Sequence, residues 1–387
     1  MTSSEHSPAP ARSSWVAGAV FAVLLAAGAL ANLWAFGVQD GTLVQAPPTL
    51  TRVLDGDVTA EIGQSLAKAP LPSWAATAER SATWLALGDL GPRVRRGCGD
   101  WLFLADEITP HPHGQIHADM RARQVREIAA RLKARGIALQ VVVVPDKTRI
   151  QSHVLCGVPR PASLEPRVRD WTERLRASGV PALDLTPVLT QAGRDTYLRT
   201  DTHWSELGAN LAAEAVTRAL GAQPNGRAGF TPAQRTEQHL RSPCPYTGDL
   251  VRLAGIDALP ARWLPEPDRV AASIFTQAEQ AQAGSADDLF GDAQLPSVAL
   301  VGSSYSGASN FVPWLAHHLH TPIANFAKDG GGFAGAITTY LNGAAYRDTP
   351  PRVLVWEIPE RDLQAPPGAS EQALSDWLGR TAGASAH

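Results

Sequence analysis

Cysteine is scarce: Cys98, Cys156 and Cys244 are the three in 387 residues, and no two stand at the short spacing of a structural zinc site. An odd number in an oxidising compartment leaves one disulfide and one thiol as the simplest arithmetic, with the pairing open. Charge of one sign is also missing. Lys and Arg total 34 against 37 Asp and Glu, a formal net charge of −3, so no broad basic field serves a nucleic acid and no acidic tail serves a basic partner. There is no long internal repeat and no second long apolar run. Gly330-Gly331-Gly332 lacks the Lys-Ser/Thr ending of a phosphate loop and reads as a helix-entry turn. His111, His113 and His117 cluster in sequence, but Pro110 and Pro112 place the first two in an irregular loop with no acidic ligand fixed nearby, so no metal is expected. Tyrosine is sparse at 5 while tryptophan reaches 11. Flat rings suit sugar faces, although core or interface packing accounts for most tryptophans.

What is present begins near the N-terminus. Trp15 to Phe36 run without a charge, close to the roughly 20 residues that a helix needs to cross a bilayer, with Trp15 and Trp34 at interfacial positions. Arg12 ahead of the span favours a cytoplasmic N-terminus and Glu5 weakens that bias. The reading is a single-pass inner-membrane signal anchor over 15–36, with 1–14 cytoplasmic and the remainder periplasmic. Cleavage after Ala29-Leu30-Ala31 is the alternative; the apolar run continues past it. Residues 37–95 read as a stalk or collar, 96–370 as the catalytic body and 371–387 as a tail. A Pro-, Gly- and Gln-rich insertion at 222–295 can wall or cover a cleft.

Within the body, helix and strand alternate. Val125, Ile128, Ala129 and Leu132 fall at helical spacing ahead of the apolar run Ile137 to Val144, and Val168, Trp171 and Leu175 precede a second strand, Val180 to Leu185. Val298 to Val301 and Arg352 to Ile358 supply two more. Such alternation predicts an α/β fold, a mostly parallel sheet with helices on both faces and a site at the carboxyl ends of the strands.

Two segments carry chemistry. In Thr200-Asp201-Thr202-His203-Trp204, residues two apart face one side, so Asp201 can orient His203 as a general base; a surface loop with an incidental His is the plain alternative. Ser205 can cap the following helix. Ser304 follows a strand and Gly302 and precedes a helix, the setting that presents a nucleophile; Ser303 and Ser306 are close competitors. Asn310 can assist an oxyanion or merely cap the next helix. Lys147, at the end of the first strand, and Trp356, Glu357 and Arg361, after the last, can line the cleft; a core Trp, a surface Glu–Arg pair and a solvated Lys are the plain readings.

Asp-Thr-His-Trp followed by Ser-x-x-Gly-Ala, then Val-Gly-Ser-Ser-Tyr-Ser, then Val-Trp-Glu-Ile-Pro-Glu-Arg resembles the SGNH-hydrolase-like acetyltransferases of alginate and related exopolysaccharide O-acetylation. Gly99-Asp100-Trp101-Leu102-Phe103 and Val144-Pro145-Asp146-Lys147 match that family's opening and first-strand motifs, and the likeness covers 97–363. It implies a three-layer SGNH-like α/β/α fold, a triad of Asp201, His203 and Ser304, and Tyr305 beside the nucleophile among the substrate or oxyanion candidates. It implies acetyl transfer to a polysaccharide through an acetyl-serine, fed by a membrane-bound O-acyltransferase, with no cofactor and no metal. An acetylesterase with the same triad, or a non-catalytic polysaccharide-binding scaffold, are the alternatives.

Overall fold

The computed structural model describes residues 15–37, 44, 47–223, 230, 236–277 and 296–384. The expected cytoplasmic tail and the insertion segments 224–229, 231–235 and 278–295 therefore lie outside the described residues. The chain divides into two units, Met1–Gly88 and Asp89–His387.

In the first unit, helix Trp15–Gly37 is apolar around its whole circumference, and its Trp15–Trp34 stretch has a mean hydropathy of 2.2, long and apolar enough to cross a membrane. The expected stalk is helical, with segments Leu50–Leu54, Asp57–Ala67 and Pro70–Leu87. Pro70 and Pro72 fall in the first turn of the last, where a missing N–H costs nothing, and alanines follow. Gly88, at φ 65°, ends that helix in the left-handed conformation a glycine adopts without strain.

The second unit opens with an antiparallel pair, β1 (Val94–Arg96) and β2 (Leu102–Leu104), so the body starts ahead of residue 96. The strands β3 (Ala138–Val144) and β4 (Ala182–Asp184) follow; the insertion holds β5 (Thr236–Leu240), β6 (Cys244–Tyr246), β7 (Asp268–Val270) and β8 (Ser273–Gln277); then come β9 (Val298–Val301), β10 (Ile323–Asn325) and β11 (Val353–Pro359). The central sheet has the order β10-β9-β11-β3-β4 and every pairing is parallel. Alternate residues of β3 serve opposite faces. Val141 and Val143 join Ile128, Trp171 and Ile337 in one apolar layer, while Val142 and Val144 join Trp204, Val216 and Phe311 in the other. Helices thus cover both faces of an SGNH-like α/β/α sandwich, which is why the central strands are dominated by apolar residues.

Two departures from the sequence reading have simple causes. β10 is only three residues long and carries no apolar run. The expected tail is helical over its described residues: helix Ala369–Ala384 packs Leu374, Trp377 and Leu378 into the first apolar layer, and buried Arg121 donates to both Glu371 carboxylate oxygens at 2.7 and 2.9 Å. Those three apolar residues share one helical face, so the body continues past 370. Cys98 and Cys156 form the disulfide, closing a loop whose chain entropy is worth on the order of 4 kcal/mol, and Cys244 is the exposed free thiol.

Candidate active site

The carboxyl ends of β9 and β11 place three neighbouring serines in different surroundings. A Cβ at Gly302 would stand 2.5 Å from both Glu357 Oε2 and Ser306 Oγ, so only glycine lets the turn lie against β11. Ser303 caps the short helix Ser304–Gly307; its N–H donates to Glu357 Oε2 at 2.7 Å and its Oγ lies 3.0 Å from both carboxylate oxygens. Ser306 Oγ donates to the same carboxylate at 2.9 Å. Burial pushes the Glu357 carboxyl up, and these serine hydrogen bonds pull it part of the way back. Ser304 alone turns outward, its Oγ 2.7 Å from His203 Nε2.

His203 and Asp201 sit on a narrow loop closed by a bridge between Tyr197 and Trp204 and by the Leu198 N–H donating to the His203 carbonyl at 3.2 Å. Ser205 caps the next helix, accepting from the Gly208 N–H. Asp201 Oδ1 receives His203 Nδ1 at 2.6 Å and the His203 N–H at 2.9 Å, while Oδ2 receives the Tyr246 hydroxyl at 2.8 Å and the Asp249 N–H at 2.9 Å. A proton held on Nδ1 leaves Nε2 as the acceptor facing Ser304. Burial alone would raise the Asp201 carboxyl; the hydrogen bonds and charge of His203 and the backbone donors outweigh it and hold the group far below the usual carboxylate range. Asp249 goes the other way, raised by burial and by the Asp201 charge. Asp201, His203 and Asp249 are the described residues whose potential metal-ligand atoms gather within 4.8 Å, and Asp201 and His203 are already bonded to each other.

Of the remaining candidates, Tyr305 and Trp356 lie buried behind the loop, while Asn310 lines the cavity beside it. Tyr305 is buried, donates to the Thr202 carbonyl at 3.0 Å and packs edge-on against the His203 ring at 4.9 Å. Trp356 is in the core, 5.2 Å from Phe333, and Arg361 stacks over Tyr305 at 5.4 Å. Asn310 neither caps its helix by a side-chain bond nor points at Ser304: its amide donates to Glu206 at 3.1 Å and to the Ser273 carbonyl at 2.8 Å, pinning a left-handed residue at φ 58° to the insertion. A cavity of about 340 Å³ opens beside His203, walled by Tyr246, Val270, Ala272 and the Gly307–Asn310 turn.

Lys147 is fully buried, not solvated. Its ammonium donates to the carbonyls of Leu102, Arg199 and Asp201 at 2.6, 2.8 and 2.9 Å, which fixes the backbone on which Asp201 stands. Burial lowers it from 10.5 to about 8, against the pull of Glu107 and Asp201. Lys147→Met should cost about 3–5 kcal/mol by leaving buried acceptors unpaired. With the folded pKa below the unfolded one, the unfolded chain holds more protons between pH 8 and 10.5, so the lysine's contribution rises with pH across that window. Denaturant melts at neutral and alkaline pH should show the gap between parent and variant widening; a gap that narrows would contradict this.

The insertion walls the cavity, as its sequence suggests, but its bonds to Asp201 were not foreseen. The segment Tyr246 to Leu250 reads as a turn, yet Tyr246 and Asp249 serve the Asp201 carboxylate directly. Gly248 held the clue: a Cβ there would come within 2.2 Å of the Thr200 carbonyl, so the insertion backbone lies flat against the Asp201 loop. Asp268 completes the clasp, receiving the N–H groups of Arg199 and Thr200 at 2.8 and 2.9 Å.

A serine, an imidazole and a carboxylate in one hydrogen-bonded line can perform acyl transfer. Residues 94–360 match the family described as "SGNH hydrolase-like domain, acetyltransferase AlgX". The chain is 37% identical over 300 residues to the probable alginate O-acetylase AlgJ of Pseudomonas aeruginosa, covering 74% of each. It is 29% identical over 273 residues to the alginate biosynthesis protein AlgX of Pseudomonas syringae, covering 67% of this chain and 53% of that one. The solved O-acetyltransferase domain of Pseudomonas putida AlgJ superposes with a TM-score of 0.62 at 29% identity, covering 75% of this chain and 99% of that one. The chain belongs to the SGNH hydrolase-like acetyltransferase family of AlgX.

Proposed function

We propose that this chain is a serine-dependent O-acetyltransferase that acetylates an exopolysaccharide outside the cytoplasm, with Asp201, His203 and Ser304 as its catalytic triad. The observation that carries the reading is the unbroken line of contacts, 2.6 Å from Asp201 to His203 and 2.7 Å from His203 to Ser304. In the first half-reaction His203 Nε2 takes the Ser304 proton as Oγ attacks the acetyl carbonyl of the donor ester. The N–H groups of Tyr305 and Ser306 are taken by Ser303, which leaves the Ser304 N–H, among residues 304–306, to receive the oxyanion. Collapse expels the donor alcohol, which leaves with the proton from His203, and acetyl-serine remains. In the second half a sugar hydroxyl gives its proton to His203 and attacks the acetyl carbon, and Ser304 is restored as that proton returns to it.

The names of the relatives point to alginate as the acceptor class. A membrane-bound O-acyltransferase partner supplies the acetyl group, and helix Trp15–Gly37 anchors the chain in the inner membrane with its body in the periplasm. The disulfide suits an oxidising compartment. Intact-mass measurement after incubation with a small activated acetyl ester tests the core of this: one acetyl group should appear on the Ser304 peptide and pass to an alginate oligosaccharide. Acetate release with no acetylated glycan would make the chain an esterase, and no acetyl-enzyme at all would remove the triad mechanism.

A further inference from the structure

A second concave site lies at the opposite edge of the sheet. Its cavity of about 540 Å³, within the range of small-ligand pockets, is ringed by Arg131, Arg135, Arg347 and Arg380 over a floor that includes Tyr346 and Trp377. Arg135 leads into β3 and Arg347 into β11, so this pocket sits at the amino ends of the strands while Ser304 follows the carboxyl end of β9. A seven-residue strand puts roughly 20 Å between those two edges.

Three of the four arginines form no ion pair among the described residues. Arg135 lies over the Tyr346 ring at 4.3 Å and Arg131 over Trp377 at 5.1 Å, contacts that restrain both guanidinium groups. Arg131 pairs with Glu127 and donates to the Leu378 carbonyl at 2.6 Å. Among the described residues the other three reach neutral acceptors: Arg135 the Arg347 carbonyl at 3.4 Å, Arg347 the Asn342 carbonyl at 2.7 Å, and Arg380 Asn342 Oδ1 at 3.5 Å. Asp376, on the same helix as Arg380, accepts from the Gln372 amide through Oδ1 at 3.0 Å. Four cations converge here in a chain whose net charge is −3. Forked guanidinium groups match planar carboxylates, and several of them in one pocket suit a ligand that carries more than one carboxylate. An anionic lipid surface fits less well, because the site is concave and no large apolar side chain is exposed on its rim among the described residues.

We propose that this arginine pocket is a second binding site for a carboxylate-bearing polysaccharide, which holds the acceptor chain while another stretch of it reaches Ser304. The proposal rests on the reading of the acceptor as an acidic glycan.

The test uses the full chain in detergent, with an alginate oligosaccharide, a neutral glucan of the same length and anionic phospholipid vesicles as probes. Arg135→Glu, Arg347→Glu and Arg380→Glu together change exposed side chains outside the core, and a melting curve checks the fold. The parent should bind the alginate probe in a salt-sensitive manner and ignore the glucan. The triple variant should bind the alginate probe at least about tenfold more weakly and raise KM for it, with turnover of a small acetyl ester unchanged. Unchanged alginate affinity in the variant, or no binding by the parent, overturns the proposal; loss of vesicle binding with alginate binding intact assigns the site to a membrane surface instead. Ser304→Ala separates the two readings, since it should abolish acetyl transfer and leave alginate binding at the arginine pocket intact.

Discussion

Ser304→Ala should slow acetyl turnover by roughly 10⁴–10⁶-fold, while Ser303→Ala should stay within about tenfold of the parent. The two hydroxyls are adjacent in sequence, yet of the two it is Ser304 Oγ that meets an imidazole, His203 Nε2 at 2.7 Å. The Ser303 hydroxyl faces the buried Glu357 carboxylate and receives the Tyr305 N–H at 3.2 Å. Its loss removes a helix cap and one donor to a buried acid, a cost of about 1–3 kcal/mol in stability rather than in chemistry. Ser306→Ala belongs with Ser303→Ala, since Ser306 serves the same carboxylate. Steady-state kinetics on an acetyl ester, with denaturant melts alongside, separate these effects. A Ser303→Ala chain as inactive as Ser304→Ala would mean that Glu357 and its serines belong to the reaction, and a Ser304→Ala chain of parental rate would end the assignment of the nucleophile.

The parts of this site that could be read from the sequence are those whose determinants are local. β3, β9 and β11 are predominantly apolar because both of their faces are covered, and the turn after β9 announces itself through Gly302. The Asp201–His203 pair is a two-residue spacing. The rest depends on contacts between residues far apart in the chain. Tyr246 reaches Asp201 across 45 positions, and Lys147 reaches the same loop across 54, with nothing in the local pattern to distinguish a buried tether from a solvated surface group. Asn310 has the spacing of an oxyanion donor or a helix cap, and its actual partners, Glu206 and Ser273, lie on the helix that follows His203 and on the insertion. The cysteine pairing was undetermined for the same reason, being set by where the loop after β1 meets the segment after β3.

Asp201→Asn should lower acetyl transfer by roughly 10⁴-fold with little change in overall fold. Each carboxylate oxygen now accepts two hydrogen bonds, Oδ1 from His203 and Oδ2 from Tyr246 and the Asp249 N–H. An amide has one oxygen and one NH₂, so either orientation opposes donors to donors on one side. With the oxygen toward His203, the NH₂ confronts the Tyr246 hydroxyl and the Asp249 N–H, and the insertion is pushed off the loop. With the NH₂ toward His203, Nδ1 must become the acceptor and the ring proton moves to Nε2. There it would point at Ser304 Oγ, so His203 would offer a proton to the nucleophile instead of taking one. In both cases the negative charge that stabilises the imidazolium is gone. Tyr246→Phe removes one donor without inverting any, so its loss should be far smaller, within about a hundredfold, and a double-mutant cycle should show the two changes to be non-additive. A rate for Asp201→Asn within tenfold of the parent would show that the carboxylate holds the loop in place without orienting the base.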